Sequence, residues 1–336
     1  MSLLPEVRHP ELPPSPAPDS LPASAGIQGL QVRTGADQLE ISASTSASTS
    51  TSATPGILTL NLPMPHLGGP ETEWIGESSG GRKSGEFHLL ERPGGCYGIA
   101  LGEPGEPPQA AAHRLYTALL RETAGLHLHR VWNWVPGIND AVGGEENYRA
   151  FNAGRHAAFT GHFGAEGLRP HLPAASALGI RGDRMAVLFA AGGDVPENFE
   201  NPEQVPACEY PPQYGRLPPT FARGTRVVYR DGGREWFLSG TASIKGHETL
   251  GGSFDTQMRL TLDNVRLMRR HMGVPDGASA RWKVFLRHPR DLAACEKAFT
   301  TAYPQDQATT IYLHADICRA SLLVEVEGTF SSPPVR

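Results

Sequence analysis

Only four cysteines occur in the 336 residues: Cys96, Cys208, Cys295 and Cys318. They lie far apart and form no Cys-x-x-Cys pair, so the sequence offers neither a zinc ribbon nor a disulfide framework, and reduced thiols in the cytoplasm are expected. No basic start leads into an apolar run: the first residues carry Glu6, Glu11 and several prolines, which argues against secretion. No stretch is long and apolar enough to suggest a membrane span. Positive charge is not in excess either. The 30 Lys and Arg are outnumbered by 35 Asp and Glu, for a net charge of -5, which excludes a general nucleic-acid binder. Small anions remain open as ligands, because their recognition needs only a few local arginines.

Motif signals are also sparse. GESSGGRKSG (76–85) resembles a phosphate loop, but Arg82 breaks its order and no G-x-G-x-x-G follows a strand. The 13 histidines form no H-E-x-x-H, and His247-Glu248 lacks a second histidine. His127 and His129 share a strand face and His156 and His162 a helix, yet hydrogen-bonded or surface histidines account for them, and no metal is expected.

What is there begins with a compositional break. Residues 1–25 are rich in proline and serine and 42–55 is a Ser/Thr/Ala tract, so residues 1–56 read as a flexible N-terminal segment. Beyond it, strand patterns at 57–62 and 126–136 alternate with helical ones at 108–124 and 145–163. The second half predicts strands at 184–190, 225–230, 235–244, 280–287, 309–317 and 321–328, with helices at 254–272 and 289–302. Met258, Leu262, Val265, Leu267, Met268 and Met272 form one apolar stripe on the longest helix, which stops at Gly273. This order predicts an α+β fold with helices packed on one face of a mixed sheet, divided into units at 57–224 and 225–330. No short period appears, which excludes a solenoid.

Three segments place polar groups where apolar ones would be ordinary. In ENYRAFNAGR, Tyr148, Phe151, Asn152 and Arg155 fall at i, i+3, i+4 and i+7, a stripe suited to clamping a carboxylate or, alternatively, to a structural ion pair at Arg155. The loop YPPQYGRLPPTFARGT carries Tyr210, Tyr214 and Arg223 into a strand, either as binding groups or as solvated side chains. In SGTASIKGHET, Gly240 and Ala242 suggest close approach by a ligand or another backbone. In HADICRASLLVEVEG, alternation puts Glu325 and Glu327 on one strand face. A carboxyl there among apolar neighbours near Cys318 would keep its proton near neutral pH, as a general acid must, whereas a solvated face would leave it ordinary.

Taken in order, RVWNWVPGIN, ENYRAFNAGR, QYG…PPTFARGT, SGTASIKGHET and HADICR…LLVEVE resemble the chorismatase family over roughly residues 57–330. The resemblance implies a fold similar to imine deaminases and the bacillary chorismate mutase, with two related αβ units and no metal or organic cofactor. It also implies a small-molecule substrate, chorismate, handled by a monomer or small homo-oligomer. Glu325 would then protonate the enolpyruvyl methylene, in preference to Glu327. Tyr148, Arg155, Tyr214 and Arg223 would bind the two carboxylates, beside Gly240 and Ala242. Cys318 resembles the branch that yields 3-hydroxybenzoate, sometimes with 4-hydroxybenzoate; a hydrolytic branch yields a dihydroxycyclohexadiene carboxylate, and a non-catalytic binding protein of the same fold is a further alternative. Gly224, where alanine is expected, and Lys245, a charge within a strand, depart from the family pattern.

Overall fold

A computed structural model describes residues 27–44 and 56–334, so the proline-rich start and residues 45–55 lie outside the described residues. Four helices of eleven residues or more form where the 3.6-residue pattern predicts them: α1 (Pro108–Glu122), α2 (Asn147–Phe163), α3 (Phe254–His271) and α4 (Leu292–Ala302). The start of α3 is fixed by Ser253, whose side chain accepts from the Thr256 backbone N–H, with Asp255 in the first turn. It ends against Gly273 at φ 67, a conformation that glycine takes without Cβ strain. None of the described helices is long and apolar enough to cross a membrane.

Two large sheets share one topology. In the six-stranded sheet the strands Ala174–Ile180, His127–Pro136, Ala186–Gly192, Gly95–Leu101 and Phe87–Arg92 lie side by side in that order. In the seven-stranded sheet Thr310–His314, Ser279–Leu286, Val324–Ser332, Arg234–Ala242 and Gly224–Val228 repeat it, with the first pair parallel and the others antiparallel in both. The helices occupy matching places in the connections, α1 and α2 in one unit and α3 and α4 in the other. Leu115, Leu119, Phe151 and Phe159 pack α1 and α2 onto the first sheet, and Met258, Leu262, Val265 and Phe299 pack α3 and α4 onto the second. Both helix layers therefore cover one face of their sheet, as the α+β reading expects.

The N-terminal segment differs from its expected character. Ile27–Thr34 and Glu40–Ser44 are strands, and with Gly56–Leu62 and Thr72–Glu77 they form a separate four-stranded sheet. Leu30, Val32, Leu58 and Leu60 from this sheet join Trp132, Trp134, Leu188 and Phe285 in a shared core. The apolar alternation of Leu30 and Val32 is too short to stand out beside the surrounding Ser/Thr composition, and the energy that holds these strands comes from burial against the large sheets. The expected first unit also lends strands to the second sheet, because His66–Gly68 and Glu197–Phe199 form the two edges of the seven-stranded sheet.

Leu30 is fully buried in the core shared by the three sheets. Leu30→Ala is expected to lower the unfolding free energy by about 3 kcal/mol, the usual cost of a buried Leu-to-Ala cavity. Urea unfolding measures it, and a loss below about 0.5 kcal/mol, the scale of surface substitutions, would show that the N-terminal sheet does not belong to the cooperative unit.

Candidate active site

The edge strand Ala174–Ile180 of the first sheet docks on the second through side chains that satisfy its free backbone groups. The Ala174 N–H donates to Thr225 Oγ1 at 2.8 Å and the Ala175 N–H to Ser239 Oγ at 2.9 Å. Above this junction opens a cavity of about 560 Å³. The eight residues to which the family resemblance assigns a place in the site all line it: Glu325, Cys318, Tyr148, Arg155, Tyr214, Arg223, Gly240 and Ala242. Ser176, Tyr210, Phe221 and Arg319 complete much of the wall.

Glu325 and Glu327 share a strand face, yet that face is buried rather than solvated: they are 3% and 2% exposed. Their surroundings separate them. Glu327 receives Lys283 Nζ at 2.7 Å, Arg130 Nη2 at 2.8 Å and Trp132 Nε1 at 3.1 Å. Burial pushes its carboxyl up, but Lys283 and Arg130 outweigh burial and hold it below the ordinary value. Lys283 also pairs with Glu73 at 2.6 Å, and Arg130 donates to Ser176 Oγ at 2.9 Å. Glu325 has no cation within ion-pair distance among the described residues. Burial, then the negative charge on Glu327, push its carboxyl up to about 8. It holds its proton at neutral pH.

The space for that carboxyl depends on Gly240. A Cβ there would overlap Glu325 Oε1 and lie 2.7 Å from Cδ, so only glycine accommodates the acid at this point. The register between Arg234–Ala242 and Val324–Ser332 slips between Leu238 and Thr241, which aims this stretch, and Ala242 then pairs directly opposite Glu325. Ala242, Ile244, Ile317 and Leu322 form an apolar cluster on which Cys318 packs. Cys318 Sγ lies 3.9 Å from Glu325 Oε2, and burial followed by the neighbouring Glu325 pushes the thiol up to about 12.

Arg155 and Arg223 are 2% and 6% exposed, and neither has a carboxylate within 4.0 Å among the described residues. The structural ion pair that sequence left open for Arg155, and the solvated state left open for Arg223, are therefore not found. Arg155 Nη2 donates to Asn152 Oδ1 at 3.2 Å and Arg223 donates to the Tyr210 hydroxyl, while the Nε of each arginine is buried without a partner. Two desolvated guanidinium groups without a carboxylate partner line the cavity and are arranged to receive carboxylates. Tyr148 stacks on Phe151, and the Tyr214 hydroxyl lies 3.2 Å from His247 Nδ1.

Several supporting residues were missed from sequence. Gln257 and Asn264 interrupt the apolar stripe of α3. Gln257 bonds Ser321 O and the Leu323 N–H, and Asn264 bonds the carbonyls of Ala242 and Ile244. Their i, i+7 spacing is the same signal that exposed the α2 stripe. Arg287 binds the carbonyls of Ile317, Arg319 and Leu322 together with Asp316 and Asn139, fixing the loop that carries Cys318. The two departures from the family pattern also have places. A Cβ on Gly224 would collide with Met272 Sδ, and Lys245 is exposed, 3.9 Å from Glu203. Among the described residues no three metal-ligating side chains are grouped. His129 Nε2 instead meets Asp194 O at 2.9 Å, and His156 Nδ1 meets Pro218 O at 3.3 Å. Gly76–Gly80 has the G-x-S-x-G spacing of a nucleophile elbow, but a strand follows it and Ser78 Oγ donates to Gly80 O at 2.6 Å.

Fold and cavity define a two-unit α+β protein with a protonated carboxyl and two unpaired arginines at the junction of its units. The family profile described as chorismatase FkbO/Hyg5-like, N-terminal, matches residues 94–191. A 3-hydroxybenzoate synthase of Streptomyces hygroscopicus is 39% identical over 239 residues, 65% of this chain and 67% of that protein. A chorismatase of the same species is 37% identical over 247 residues, 68% and 70% of the two chains. A chorismatase crystal structure superposes with a TM-score of 0.74 at 28% identity, covering 94% of this chain and 96% of that one. The chain belongs to the chorismatase family.

A carboxyl raised to about 8 in the folded protein, against an ordinary 4.5 when unfolded, ties stability to pH. Between these values the folded chain keeps a proton that the unfolded chain has lost, so rising pH favours unfolding; the stabilisation is complete below about 4.5 and gone above about 8. Glu325→Gln removes this dependence. The thermal midpoint of the variant relative to the native protein is expected to rise steadily from pH 5 to pH 8.5, and a difference that stays constant would place an ordinary carboxyl at Glu325.

Proposed function

We propose that the protein cleaves chorismate to pyruvate and 3-hydroxybenzoate, with Glu325 as the general acid. The observation that carries this reading is the protonated, uncompensated Glu325 in a cavity that also presents Arg155 and Arg223 without ion-pair partners. Arg155 and Arg223, with Tyr148 and Tyr214, hold the two substrate carboxylates and bring the enolpyruvyl methylene to Glu325. Proton transfer to that carbon leaves an oxocarbenium-like centre and a glutamate carboxylate beside it. The ring hydroxyl then displaces the side chain, which departs as pyruvate. Loss of a ring proton, taken back by Glu325, restores the aromatic ring, so the acid is regenerated and no water is consumed.

The relatives named 3-hydroxybenzoate synthase and chorismatase support this substrate, and Cys318 beside the acid favours the 3-hydroxybenzoate outcome over the hydrolytic one. Water capture of the same cation would instead give pyruvate and the dihydroxycyclohexadiene carboxylate, consuming one water.

Purified protein is expected to release pyruvate from chorismate in the presence of a chelator, with chromatography resolving the ring product. Glu325→Gln should still fold and turn over at least about a hundredfold more slowly, the usual loss for a general acid. Because the neutral carboxyl is the active form, turnover should fall as pH rises through about 8. Binding of an aromatic acid without pyruvate release would replace this reading with a non-catalytic one, and full activity in the Gln variant would remove Glu325 from the mechanism.

A further inference from the structure

Arg319 follows Cys318 directly and joins three separate segments of the cavity wall. Its Nη1 donates to His247 O at 2.9 Å and to Thr249 Oγ1 at 3.1 Å, both on the short hairpin formed by Ile244–Lys245 and Glu248–Thr249. Its guanidinium stacks 4.0 Å from the Tyr214 ring centroid and 5.2 Å from that of Tyr210, on the proline-rich loop. The hairpin and the proline-rich loop are tied to each other as well, through the Tyr214 hydroxyl and ring against His247. The backbone under Arg319 is pinned, since Arg287 binds the carbonyls of residues 317, 319 and 322. The adjustable part of this corner is therefore the Arg319 side chain.

We propose that Arg319 is a positioning residue that clasps the hairpin and the proline-rich loop over the cavity, keeping water from the cation formed beside Glu325 and so selecting 3-hydroxybenzoate over the hydrolytic product. The product choice rests on the function proposed above; the closure of the roof does not. A planar guanidinium is suited to this role because it stacks on two tyrosines while one edge binds a carbonyl and a hydroxyl. Lysine keeps the charge but neither the stacking plane nor the fork. Excluding water matters because water and the ring hydroxyl compete for one electrophile, and only the water route adds an oxygen from solvent to the products.

Arg319→Lys and Arg319→Ala, first checked for a native thermal midpoint, separate closure from chemistry. Closure is read without substrate, as the rate at which N-ethylmaleimide modifies Cys318, followed by peptide mass spectrometry with Cys208 as the internal reference. Both variants are expected to accelerate Cys318 modification about fivefold or more, with Cys208 unchanged, because opening the roof exposes the thiol. The alanine variant removes a cation that favours the thiolate, so its acceleration would appear against the electrostatic trend. With chorismate, both variants should lower the ratio of 3-hydroxybenzoate to dihydrodiol by about fivefold or more, an effect that general destabilisation would not produce. An unchanged Cys318 rate overturns the clasp. An unchanged product ratio in variants that do expose Cys318, or a native enzyme that forms only the dihydrodiol, overturns its role in product choice. Absence of pyruvate from the native protein would instead overturn the proposed function, and the modification rates would still decide the clasp.

Discussion

The site depends on how three sheets share one buried carboxylate. Glu327 is held by Lys283 and Arg130, Lys283 is held in turn by Glu73, and these four residues come from all three sheets. Removing such charges from water is costly, and the arrangement is held because Glu327 accepts from Lys283, Arg130 and Trp132 at once. Its consequence lies two residues away. Lys283 and Arg130 are engaged by Glu327, so Glu325 has no ion-pair partner on a buried face, and the negative charge of Glu327 adds to the penalty on ionising it. One acid is kept charged so that its neighbour stays neutral, and the two environments push the carboxyls in opposite directions.

The repeated topology explains where the cavity lies. Each unit covers one sheet face with helices and leaves the other to be covered by its counterpart or by the N-terminal sheet. The cavity forms where the edge strand Ala174–Ile180 of one unit meets the bulged end of Arg234–Ala242 of the other. The two units are not equivalent there. Val324–Ser332 carries Glu325 and Glu327, whereas the corresponding strand Ala186–Gly192 is Ala-Val-Leu-Phe-Ala-Ala-Gly and carries no titratable side chain. The first unit instead contributes cations: Arg130 behind the site and Arg155 within it. The cavity wall is thus divided between the units, with Glu325 from one and Arg155 from the other.

Much of this was legible from the chain because helix periodicity and strand alternation act locally. All four helices, and the alternation that separates Val324 and Val326 from Glu325 and Glu327, follow from spacing alone. Burial of Glu325 does not, because alternation names a face without saying what covers it; Gly240, the edge strand at Ser176 and the loop carrying Cys318 are brought to it through long-range contacts. The same limit hid Ile27–Thr34, whose few apolar residues are stabilised by the large sheets rather than by their own propensity. It also hid Arg287, an ordinary-looking arginine after a strand, whose importance comes from three carbonyls brought to it by a loop 30 to 35 residues away. Gly240 was legible as a point of close approach, though the approaching group is the carboxyl of Glu325 itself.

The state of Cys318 limits what the thiol contributes to the proposed reaction. With its proton held up to about 12, it stays a thiol near neutral pH, a slow nucleophile and no base for the reaction. It is a weak donor 3.9 Å from Glu325 Oε2, set among Ala242, Ile244, Ile317 and Leu322. Before proton transfer this apolar wall favours the neutral acid. After transfer a carboxylate stands in the same place, and the thiol is the donor already aimed at it. The hydrogen bond is therefore worth more to the charged form than to the neutral one, which offsets part of the desolvation penalty at the moment the charge appears. A hydroxyl-bearing or apolar residue at the same position would alter that balance in opposite directions, so the identity of residue 318 sets the strength of the acid as well as the surface that the ring intermediate meets.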